Sequence, residues 1–83
     1  MALELRTLGR LDETEALYRE LLQERPDLVR ALAGLGHIAR LRGQPRLALR
    51  HYLAALARNP ARTDLRLEVA GQLRKLARYQ EAQ

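Results

Sequence analysis

The stretch VRALAGLGHIARLRGQPRLALRHYLAALARNPAR, residues 29–62, reads as helix, turn, helix, turn. Leu32, Leu35, Gly36 and Ala39 fall at i, i+3, i+4 and i+7, one face of a helix expected over about 28–41. Gly43 ends it, because glycine tolerates the left-handed conformation that follows a helix C-terminus. Pro45 suits the first position of a second helix, where no amide hydrogen is needed. That helix carries Ala48, Leu49, Tyr52, Ala55 and Leu56 on one face and closes at Asn59-Pro60. Gly36 and Ala48 are small, and the two helices are expected to cross closely there.

The same pattern recurs on both sides. Shifting the chain by 34 residues sets Arg6 on Arg40, Gly9 on Gly43, Tyr18 on Tyr52, Leu22 on Leu56 and Pro26 on Pro60. A second shift sets Arg40 on Arg74 and Ala48 on Ala82. Coincidences of Gly and Pro weigh more than matches among leucines, because these residues punctuate structure. Helices are therefore expected at about 2–8, 12–25, 28–41, 45–58 and 63–76, with another beginning near 79. Asp12, with Glu15 three residues on, reads as an N-cap with a capping-box-like partner. The expected organisation is a partial repeat at 1–28, a complete one at 29–62 and a partial one at 63–83, as in a piece of a longer protein.

The period and the series Leu35-Gly36, Gly43, Ala48, Tyr52, Ala55 and Pro60 resemble the tetratricopeptide repeat, whose pattern is W-x₂-L-G-x₂-Y, then A-x₃-F, then P. Leu32 and Ala39 stand in place of the family's Trp and Tyr; Arg66 and Ala77 depart further, and Thr14 and Leu21 occupy positions where small Ala is usual. The resemblance implies an all-α fold of antiparallel helix-turn-helix repeats, stacked as a right-handed superhelical solenoid. It also implies a protein-interaction scaffold, in which the exposed face of each first helix lines a concave groove for a peptide or partner helix. Mapped onto this chain, the groove is basic: Arg30, Arg40, Arg74 and Lys75, with His37 and Arg6 adjoining. Arg6, Arg40 and Arg74 form a column at the repeat spacing, and guanidinium forks pair bidentately with carboxylates, so an acidic protein or peptide is the expected partner. The family's Asn/Lys clamp for a peptide C-terminus is not reproduced, because Leu3, His37 and Gly71 hold the column where its Asn would recur.

Charge is uneven. Residues 1–28 carry four Arg against seven acids; residues 29–62 carry seven Arg and no acid; residues 63–83 carry four cations against three acids. The basic middle repeat leaves nucleic-acid binding as an alternative function. Against it, Tyr18 and Tyr52 fall in the inward stripe, so no aromatic platform interleaves with the arginines. A purely self-assembling structural module is the third reading. Leu65, Val69, Leu73 and Leu76 have little second helix to cover them, which points to a homo-oligomer through the terminal helices. Leu47 and Leu53 also widen an apolar face.

Catalysis finds no support in these residues. The chain has no Cys, which excludes a thiolate metal site or cysteine nucleophile. His37 and His51 lack metal-ligand spacing, and the five Gly form no phosphate loop. No enzyme activity and no cofactor are expected. The apolar runs are too short for a membrane span and the first ten residues lack a signal-peptide core, so a cytoplasmic location is expected.

Overall fold

The loop after Leu41 explains the architecture. Gly43 has φ +72°, and the turn around it is a complete Schellman motif. The Gln44 amide donates to the Ala39 carbonyl (2.9 Å) and the Gly43 amide to the Arg40 carbonyl (3.1 Å). Gln44, held out of the helical region by the following proline, lies at φ −115°, ψ 75°, and Pro45 opens the next helix at its first turn.

The computed structural model describes residues 2–82, and the side-chain surroundings of residues 10–78. Among the described residues the secondary structure is helical: α1 (Ala2–Glu24), α2 (Val29–Leu41), α3 (Pro45–Arg58) and α4 (Thr63–Ala82). α1 packs on α2, α2 on α3 and α3 on α4, in a slab of 39 × 39 × 18 Å. Among the described residues, no helix is long and apolar enough to cross a membrane.

The sequence places α2 and α3 within a residue of their observed limits, but α1 and α4 differ. Turns were expected near Gly9 and near Ala77, the counterparts of Gly43, yet α1 and α4 run unbroken through both. The reason lies two residues further on. Where the middle repeat has Pro45, the flanking copies have Leu11 and Tyr79, whose amides can continue the helical ladder. Glycine alone costs a helix interior only about 1 kcal/mol, too little to stop it. Asp12 is accordingly inside α1 and caps nothing. It accepts instead from Arg42 Nη2, while Arg42 Nη1 lies 3.1 Å from Glu15 Oε2, which ties the C-terminus of α2 to α1.

The core forms where α2, α3 and α4 meet. Ala39, Ala48, Tyr52, Ala55 and Leu65 are buried together, with Val29, Leu32, Leu56 and Val69 packed against them. Alanines at these positions bring the backbones close enough for one tyrosine to fill the space between three helices. A Cβ on Gly36 would stand 2.8 Å from the Tyr52 ring, so the α2–α3 crossing depends on its absence. Gly34 serves α1 in the same way, lying against the Tyr18 ring.

Candidate functional site

An open cleft of about 300 Å³ runs between α2 and α4. Ala33, Gly34 and His37 form the α2 wall, and Asp64, Leu65 and Glu68 the α4 wall. Tyr52 of α3 and Tyr18 of α1 complete the lining. Periodicity accounts for both walls. On α2, positions 33, 34 and 37 share a face, and 64, 65 and 68 do the same on α4. The glycine at 34 widens the cleft and seats Tyr18 at its edge.

The polar groups around the cleft are linked. Arg40 Nη2 donates to His37 Nδ1 at 2.8 Å, and Arg40 Nε lies 3.5 Å from Glu68 Oε2. The second contact is an ion pair without a hydrogen bond, so the buried Nε has no acceptor. The Tyr52 hydroxyl is close by and also lacks a partner. Burial, and after it the Glu68 carboxylate, push this phenol above its ordinary pKa. One turn beyond Glu68, Gln72 is 2% exposed and its Oε1 is likewise unpaired. Buried polar atoms without partners are uncommon and costly, and three occur among these neighbouring elements. At the other end of the α4 wall, Arg62 donates to Asp64 through Nε (2.9 Å) and Nη2 (2.7 Å). Those hydrogen bonds hold the Asp64 carboxyl below its usual range.

The basic residues expected in the groove are therefore not equivalent. Arg40 does not stand free opposite the core: it is half-buried and bridges α2 to α4 through Glu68. The sequence column could not reveal this, because Glu68 meets Arg40 only after α4 packs on α3. Arg30 is exposed on the same face as Gly34 and His37, four and seven residues before them. Lys75 is exposed seven residues after Glu68, on the same face of α4. Arg74, one residue earlier, points about 100° away around the helix. The Arg6 side chain lies outside the residues whose surroundings are described. The cleft itself carries two carboxylates, each already paired with an arginine, and the free positive charge sits at its approaches.

Sequence reasoning singled out neither Gly34 nor Glu68. Gly34 carried a signal, since a glycine inside a helix needs a packing reason. Glu68 carried none, because it looks like any exposed helical acid. His51 is half-buried on α3; burial, then the charges of Arg19 and Arg50, push its imidazole pKa down. No group of His, Asp or Glu among the described residues could hold a metal ion. No family model matches the chain, and no curated protein is similar to it.

Proposed function

We propose that this chain is a protein-interaction module of tetratricopeptide-repeat type, which holds an acidic peptide segment in the cleft between α2 and α4. The observation that carries the reading is Arg40, which contacts the cleft residues His37 and Glu68 and holds Glu68 only through a 3.5 Å ion pair. A carboxylate from a ligand can form charge-assisted hydrogen bonds with the guanidinium in exchange for an internal pair that has none. Arg30 and Lys75, exposed on the cleft faces, and the acid-free stretch 29–62 supply the field that draws an anionic segment in. Glu68 then acts as an internal competitor, and the cleft stays neutral until an outside acid replaces it.

Selection from a random peptide display library tests the reading. Enriched peptides are expected to carry Asp or Glu. Arg40→Ala is expected to weaken them by about 1–3 kcal/mol, and Glu68→Gln to tighten them. Basic or purely apolar peptides, or acidic ones indifferent to both changes, would refute it.

A second reading has one observation in its favour. Arg46, Arg50 and Arg58 are exposed along α3, away from the cleft, and form a basic surface suited to a nucleic-acid backbone. Tyr52 is buried and Tyr18 lies against Gly34, so neither supplies a stacking platform. Retention on single-stranded DNA that persists at moderate salt would favour this reading over the peptide cleft.

A further inference from the structure

Two faces that take no part in the cleft complement each other. On α1, Leu17 and Leu21 are 60% and 42% exposed, and with Glu20 and Glu24 they line a surface hollow of about 270 Å³. The spacing 17, 20, 21, 24 places all four on one helical face, with both acids on the same side of the leucines. On α4, Leu67 and Leu73 are 67% and 52% exposed, and Arg66, Arg74 and Arg78 are exposed around them. Leu67 and Leu73 lie about 120° apart around α4 with Arg66 and Arg74 between them, so this surface is basic where the α1 face is acidic. None of these acids or arginines pairs with another described side chain.

The two faces turn away from the cleft to which α1 and α4 both contribute. α1 packs on α2 and α4 on α3, so the faces belong to helices at opposite ends of the row. From this we infer that the α1 face docks on the α4 face of a second copy, head to tail. Arg74 supports the pairing independently of the leucines. It holds the register of Arg40, which reaches an acid on a neighbouring helix; Arg74 has no described acid to reach. Glu20 or Glu24 of the second copy supplies one. The contact is heterologous, so repetition gives an open filament or a closed ring rather than a two-fold dimer. It involves neither His37, Arg40 nor Glu68 and stands apart from the peptide reading.

Sedimentation of the 83-residue chain across a micromolar to millimolar series, at low and at high salt, reads the association directly. Concentration-dependent assembly, weakened by salt, is expected. Glu20→Arg with Glu24→Arg, and separately Arg74→Glu with Arg78→Glu, are each expected to weaken self-association about tenfold or more, because like charges then face each other. An equimolar mixture of the two variants is expected to assemble again, since each presents the face the other needs. These positions are exposed, and circular dichroism verifies that both variants remain helical. A monomer at every concentration overturns the inference, as does assembly unchanged in both variants or a mixture that fails to associate.

Discussion

Replacing Gly36 with Ala sets two known effects against each other. Alanine in a helix interior is favoured over glycine by about 0.8–1 kcal/mol. The new Cβ, however, would lie 2.8 Å from Cδ1 and Cε1 of Tyr52. Tyr52 is 2% exposed and enclosed by Ala39, Ala48, Ala55 and Leu65, so the ring cannot yield without moving α3 or α4. Overpacking of this kind costs about 1–3 kcal/mol. The net expectation is a loss of about 1 kcal/mol, or a fall in Tm of about 4–8 °C for a chain of this size. Gly71→Ala is the internal control: nothing lies within 4 Å of its Cβ position, so the propensity gain stands alone and Tm should rise. Thermal unfolding followed by circular dichroism compares the two. A Gly36→Ala protein that gains as much as Gly71→Ala would refute the close α2–α3 crossing, and Gly36→Leu should be worse than either.

Gly43→Ala is expected to destabilise by about 1–2 kcal/mol, because φ +72° is unfavourable for a residue with a Cβ, although open space surrounds it; urea unfolding measures the loss. Arg42→Ala removes the link from α2 to Asp12 and Glu15 and should cost up to about 1 kcal/mol, with faster amide exchange confined to α1. His51 has a folded pKa below its unfolded value, so the unfolded chain binds the proton more readily. Its contribution is therefore complete above pH about 6.5 and declines as pH falls below it, and His51→Gln should flatten the loss between pH 7.5 and 5.

The middle of the fold was legible because residues with single conformational meanings mark it. Gly43 and Pro45 delimit α2 and α3 to within a residue, and Pro60 follows the end of α3. At the flanks the repeat comparison carried too far, since Gly9 without a following proline does not interrupt a helix. Most of the inward stripe of α2 and α3 was visible from periodicity: Leu35, Gly36, Ala39, Ala48, Tyr52 and Ala55 are buried and Leu32, Leu49 and Leu56 half-buried, while Ala31 and Ile38, also buried, lie outside the expected stripe. The chemistry of the cleft was less so. Arg40 stood out as a member of a column, but its connection to Glu68 joins helices separated by all of α3. Leu65, expected to lack cover together with Val69, Leu73 and Leu76, is instead 2% exposed, whereas Leu73 is 52% exposed, because α3 covers only the side of α4 that bears Leu65 and Gln72.

The most direct measurement of the central claim follows backbone amides by NMR while an acidic peptide, a polyglutamate segment for example, is titrated into the labelled chain. Shifts concentrated at Ala33, Gly34, His37, Arg40 and the Asp64–Glu68 turn, enlarged in Glu68→Gln and lost in Arg40→Ala, are the expected result. Shifts that map to Arg46, Arg50 and Arg58 on α3, or that ignore both substitutions, would contradict it.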